Sequence, residues 1–223
     1  MKSKMTAAIA ALTLVAGAAA AQNLLSNAGF ETPDASAGDI PGAPPSWGGF
    51  NDPGTQNTTQ QISLSGAQSF KTFGPFDFIG GGTGIFQAVP ATPGETYTGR
   101  VFAQNFSGDA IQGDSFGVFK LEFLDAGGGL VGGTPLLGVN VFESAPINAS
   151  SPQDQWLELG TGGIAPAGTA LVQAVLVQVQ LGDGAGNFVG GAIFWDDAFV
   201  AVPAPATAAF LGLGGLAAVR RRR

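Results

Sequence analysis

From about residue 61 to residue 200 the chain repeats one short theme: apolar and polar positions alternate for a few residues, and glycine, proline or aspartate then closes the run. Between Thr96 and Phe106, the residues Arg100, Phe102, Gln104 and Phe106 share one parity, and Tyr97, Val101 and Ala103 share the other. Phe119, Leu121 and Phe123 alternate with Lys120 and Glu122. Within Leu171 to Leu181, Val175, Val177, Val179 and Leu181 fall on one side and Gln178 and Gln180 on the other. Period two with β-branched and aromatic residues is the pattern of a β-strand, because successive side chains leave opposite faces of a pleated chain. The same reading gives strands over Gln61 to Leu64, Ser69 to Phe73, Gly84 to Val89, Gln155 to Leu159 and Ala192 to Val200. No run of helical period and no repeat of fixed length interrupts them. Short strands at this spacing predict an all-β fold, a β-sandwich or jelly roll of two antiparallel sheets.

The two ends break the pattern. Lys2 and Lys4 precede an apolar run from Met5 to Ala16, and Ala19, Ala20 and Ala21 follow. A charged start, a short apolar run and small residues in that order predict a signal peptide over 1–21, helical in its apolar part, cut by signal peptidase between Ala21 and Gln22. At the other end Pro203, Ala204 and Pro205 lead into an apolar run that stops at Arg220, Arg221, Arg222 and Arg223. This layout over 202–223 resembles the PEP-CTERM sorting tail, with Ala204 where that motif carries glutamate. The resemblance implies a hydrophobic sorting helix, transient inner-membrane association, and an exosortase-like enzyme as partner. It further implies export to the cell envelope, cell surface or extracellular matrix of a Gram-negative-type bacterium. Between the ends, 22–201 reads as one domain.

Composition narrows the chemistry. The chain of 223 residues has no cysteine and no histidine, which excludes disulfides, Cys/His zinc sites, thiol nucleophiles and a Ser/His/Asp triad. Six of the nine cations lie at the two ends, so the middle carries three cations against sixteen acids, a formal charge of -13. Nucleic acid, which needs a clustered basic face, is thereby excluded as a partner.

Three stretches, in order, resemble one known family. They are Asn23 to Glu31 (NLLSNAGFE), Gly84 to Tyr97 (GIFQAVPATPGETY) preceded by Gly66 to Lys71 (GAQSFK), and Ala192 to Ala198 (AIFWDDA). Together they are similar to the opening, the paired inner strands and the closing strand of family 4/9 carbohydrate-binding modules and their galactose-binding-like jelly-roll relatives. The resemblance implies a structural calcium ion joining the first strand to the last, with Glu31 and Asp196 as carboxylate ligands and Gly29 and Lys71 as carbonyl donors. Hard oxygen donors suit calcium, and adjacent Asp196 and Asp197 must face opposite ways, leaving one acid on the packed side in need of a partner.

The resemblance also implies a polysaccharide or matrix polymer as ligand. If the strands carrying them are neighbours in one concave sheet, Arg100, Gln104, Lys120, Glu122, Gln178 and Gln180 line a single polar cleft; the plainer alternative is a solvated sheet face with salt bridges to Glu122. Trp47 and Trp156 are expected in the core, and Trp195 is open. No spacing selects a catalytic pair from Glu122, Glu143, Asp154 and Glu158, so the domain reads as a non-catalytic carbohydrate-binding module. A purely structural envelope or matrix protein and a carboxylate-dependent glycoside hydrolase are the alternatives.

Overall fold

A computed structural model describes residues 21–52, 58–60, 62–75, 81–131, 142–182 and 189–203. Most of the signal segment, Ala204, Pro205 and Arg220 to Arg223 lie outside the described residues, as does Gln61. Gln22–Val202 is one compact unit.

Its strands are β1 (Ile40–Pro41), β2 (Gly48–Phe50), β3 (Thr58–Gln60), β4 (Ser69–Phe73), β5 (Gly82–Pro90), β6 (Thr96–Gln104), β7 (Phe116–Leu124), β8 (Ile147–Asn148), β9 (Trp156–Ile164), β10 (Leu171–Val179) and β11 (Ala192–Ala201). A single 3-10 turn, Ser107–Asp109, is the only helical element among the described residues. The strands form a six-stranded sheet in the order β1-β3-β4-β11-β6-β9 and a five-stranded sheet in the order β2-β5-β10-β7-β8. Every pairing between named strands is antiparallel. The fold is therefore all-β, and it fits a jelly-roll sandwich.

The period-two runs become the long central strands, each extended or trimmed by a few residues. The short β1, β2 and β8 carry too few alternations to register in the sequence, and residues 62–64 form a loop instead of a strand. Between the sheets lies the main core, which includes Phe70, Ile85, Val101, Phe119, Leu121, Phe123, Val172, Leu176, Ile193 and Trp195, all essentially out of water. Burying each such side chain contributes about 1.5–3 kcal/mol. Glycine admits the bulkiest of them: a Cβ at Gly117 would collide with Ile193 and would stand 3.0 Å from the Trp195 ring.

Trp47 is 7% exposed and belongs to the core, and Trp195 is fully enclosed. Trp156 departs from expectation: it starts β9 half-exposed, on the face of the six-stranded sheet that turns away from the core.

Candidate functional site

The expected single polar cleft does not form, because its strands divide between the sheets. Arg100 and Gln104 stand on β6 of the six-stranded sheet, whereas Lys120 and Glu122 on β7 and Gln178 on β10 belong to the five-stranded one. Arg100 is half-exposed, packs over the Phe199 ring at 4.8 Å and reaches Glu158 at 4.0 Å. Gln104 lies between Phe194 and Trp156 in the ladder, buried, and its Oε1 has no hydrogen-bond partner among the described residues.

The alternation over β10 is as the sequence suggests, but its sense is reversed: the glutamines face inward. Trp195 Nε1–H donates to Thr72 Oγ1 at 2.8 Å, Thr72 Oγ1–H donates to Gln178 Oε1 at 2.9 Å, and Gln178 Nε2–H donates to the Gly191 carbonyl at 2.8 Å. Gln180 Nε2–H donates to the Val189 carbonyl at 2.8 Å. Buried amides are tolerable when their donors and acceptors find partners. The two glutamines therefore hold the end of the sandwich together.

Val175, Val177 and Val179 of β10 consequently face away from the main core, where each is at most 6% exposed, and they underlie a face that polar residues alone did not reveal. On the outer face of the five-stranded sheet, Val118, Val175, Val177 and Val179 form a second apolar cluster, flanked by the half-buried Phe50, Phe86, Phe116 and Leu181. Register explains the arrangement: Phe86 stands opposite Gly48 and Val175, and Phe50 opposite Gly84. A Cβ at Gly48 would lie 2.5 Å from Phe86 Cζ, and one at Gly84 would lie 2.9 Å from Phe50 Cζ. Each ring thus reclines over a glycine of the adjacent strand, and the two centroids are 6.4 Å apart with planes inclined by 34°. The sequence carries the signal as glycine two residues before phenylalanine in both Gly48-Gly49-Phe50 and Gly84-Ile85-Phe86.

Charge gathers further along the same face. Lys120, 4% exposed, places Nζ 3.0 Å from Glu122 Oε1 and 3.5 Å from Glu143 Oε1. Gln173, which pairs with Glu122 in the ladder, donates from Nε2 to Glu122 Oε2 at 3.5 Å. Of the six residues assigned to the cleft from sequence, Lys120 and Glu122 alone share this face. Glu143 and Gln173 join them, while Asp154 and Glu158 lie at or near β9 of the other sheet.

The acidic corner lies where the N-terminal segment meets β11. A register shift between Asp196 and Phe199, with Asp197 at φ 48°, turns the two aspartates out of simple alternation. Asp196 Oδ2 accepts from Leu64 N–H at 2.8 Å and Ser65 N–H at 3.2 Å, and Oδ1 accepts from Asp197 N–H at 2.7 Å. Burial pushes its pKa up to about 6 against the pull of those N–H groups, and the Asp197 charge adds to the rise. Ser65 Oγ–H donates to Asp197 Oδ1 at 2.9 Å, and Glu31 accepts from Ala67 N–H at 3.1 Å.

A point one Cβ out from Gly29 would be 3.4 Å from Asp197 Oδ1 and 3.9 Å from Asp196 Oδ1. Among the described residues no three acidic side chains are arranged around a metal-sized point. The donor chemistry nevertheless fits a hard cation: among the described residues the adjacent carboxylates are engaged by N–H and O–H groups and by no ammonium or guanidinium. Lys71 lies apart: it pairs with Phe194, two residues from Asp196, and its ammonium stands 3.6 Å from Asp109.

No family model matches the chain, and no curated protein matches it either. Among solved structures, the chain is similar to a cyclase from Fischerella sp. TAU, with a TM-score of 0.58 and 15% identity over 83% of this chain and 99% of that one. Weaker likenesses include the enzymatically active domain of bacteriophage CBA120 tailspike protein 4, with a TM-score of 0.46 and 15% identity. There the match covers 81% of this chain and 21% of that one, so the chain spans about a fifth of the tailspike domain. The CBM22-1 xylan-binding domain from Paenibacillus barcinonensis Xyn10C matches at a TM-score of 0.45 and 14% identity, over 70% of this chain and 85% of that one. At these identities the cyclase likeness shows a shared fold.

Proposed function

We propose that the unit is an exported, surface-sorted and non-catalytic carbohydrate-binding module, whose ligand lies on the outer face of the five-stranded sheet. The observation that carries this reading is the pair of phenylalanine rings laid over Gly48 and Gly84, on the same face as Lys120, Glu122, Glu143 and Gln173. Sugar rings present C–H faces that stack on aromatics and hydroxyls that bond to amides and charged groups, and this face offers both in sequence. The resemblance of the sequence to family 4/9 modules, and the signal-like and sorting-like ends, support the same reading. Glu122 and Glu143, the two acids that approach each other here, are both ion-paired to Lys120, which favours positioning over acid–base turnover.

The test is binding of the full chain to a panel of plant and bacterial polysaccharides, followed by titration with the best oligosaccharide. Phe86→Ala weakens binding about tenfold, equivalent to ~1.4 kcal/mol, the scale of one aromatic contact. Gly48→Val, which displaces the Phe86 ring, has the same effect. Equal affinity of both variants and the parent overturns the assignment of this face.

The acidic corner is proposed as a calcium site made by Asp196 and Asp197 with the Gly29 backbone, and with Glu31 beside it. Such an ion would join the N-terminal segment to β11. A melting temperature unchanged by excess chelator and by added calcium would sink the idea.

A further inference from the structure

We propose that the open edge of β9 pairs with β9 of a second copy of this chain, antiparallel and in a register centred on Gly160. Among the described residues the sandwich has four sheet edges. Three are blunted by strands of two or three residues, namely β1, β2 and β8. The fourth, β9, runs for nine residues from Trp156 to Ile164 and carries a single charge, Glu158. Long, nearly uncharged edges are what soluble proteins usually suppress, because their free N–H and C=O groups template another strand.

Among the described residues, those groups are unoccupied on this side. β9 pairs with β6 alone, and no other described segment bonds to it. Ala165 N–H donates to the Glu95 carbonyl at 2.9 Å, so the alternation of an antiparallel ladder assigns the odd-numbered residues of β9 to β6. The even-numbered Trp156, Glu158, Gly160, Gly162 and Ile164 turn their backbone groups outward. Paired about Gly160, these residues exchange about ten hydrogen bonds with the second copy, two for each opposed pair.

Side chains select the register. Centred on Gly160, all nine residues find partners: half-exposed Trp156 faces Ile164, which is 62% exposed, and Glu158 faces Gly162. The two Glu158 carboxylates then stand four residues apart along the strand, ~13 Å at ~3.3 Å per residue. Each keeps its own Arg100 within 4.0 Å. Centred on Glu158, the like charges would be directly opposed, which is unfavourable. Centred on Gly162, Trp156 and Glu158 would lose their partners. On the core side, Leu157 falls opposite Gly163, whose face is already covered by the Phe142 ring.

Gly160 supplies the test, since a Cβ there meets only ordinary contacts, 3.5 Å to the Gly99 carbonyl and 3.8 Å to Arg100 Cβ. Both Gly160→Lys and Gly160→Glu are therefore compatible with the folded monomer, yet each places two like charges on the dyad. Sedimentation equilibrium of the full chain should show a dimer for the parent, a dimer dissociation constant raised at least tenfold for either variant alone, and recovered association when the two variants are mixed. A monomeric parent, variants that associate like the parent, or a mixture no tighter than its components overturns the proposal. Because β9 lies on the other sheet from Phe50 and Phe86, this result is independent of glycan binding.

Discussion

Replacing Gln178 with leucine separates a structural role for this residue from a role in binding. The side chain accepts from Thr72 Oγ1–H at 2.9 Å and donates to the Gly191 carbonyl at 2.8 Å, and Thr72 in turn accepts from Trp195 Nε1–H. All three side chains are at most 1% exposed. Gln178→Leu deletes two hydrogen bonds worth about 1 kcal/mol each and leaves a carbonyl without its donor, which adds about 1–3 kcal/mol. The Thr72 hydroxyl recovers part of this through the Ile193 carbonyl, 3.4 Å away, and leucine returns some apolar burial. The net loss is about 2–4 kcal/mol. With a urea slope of about 2 kcal/mol/M, the unfolding midpoint falls by about 1–2 M. Tryptophan fluorescence reports the transition, because Trp195 terminates the chain of bonds. A cycle with Thr72→Val completes the assay: two members of one network couple by at least about 0.5 kcal/mol. A midpoint within about 0.3 M of the parent, or strictly additive single variants, refutes the reasoning. Glycan affinity measured below the transition should be unchanged in Gln178→Leu.

Two further outcomes follow from the charged groups. Asp196 has its folded pKa raised from 3.8 to about 6, so the native state holds this proton more tightly than the unfolded chain does. In metal-free buffer, stability therefore rises as pH falls from about 6 toward about 4, by ~3 kcal/mol at most, and Asp196→Asn abolishes that slope. Chemical denaturation across this range checks it, and bound calcium, which holds the carboxylate charged, inverts the trend. Lys120→Met leaves Glu122 and Glu143 facing each other without their cation and costs about 1–3 kcal/mol, much of it restored by adding Glu143→Gln. Urea midpoints of the single and double variants measure both numbers.

The strands were legible because each long one repeats period two for several residues, as Phe119 to Phe123 does around Lys120 and Glu122. Sheet partnership was not: nothing local in Arg100 or Gln104 tells that β6 lies beside β9 and β11 and not beside β10. The sense of the β10 face was hidden for a related reason. Valine against glutamine suggests valine inward, and the reversal depends on Thr72, which lies 106 residues from Gln178. The aromatic face was hidden because its parts come from β2 and β5, far apart in sequence, and because a glycine shows its use only when a ring is found above it. Asp196 and Asp197 were legible only as adjacent acids on a strand. One of the two is buried and partnered, but by backbone N–H groups of a loop, which no side-chain pattern announces.

The meeting of the two ends of the unit has a mechanical consequence. Leu24 N–H donates to the Val200 carbonyl at 2.8 Å, Ala198 N–H donates to the Ala28 carbonyl at 2.9 Å, and Asn23 bonds to Ala198 and Val200 through both ends of its amide. The two segments run in opposite directions, so residues 22 and 202 leave from the same end of this pairing. Tension applied between them loads the bonds one after another, as a zipper is opened, rather than all together in shear. A unit tethered by both ends would peel along this seam at low force and expose the acidic corner of Asp196 and Asp197 first, while the nine-residue ladders of the two sheets would bear load only after the seam has parted.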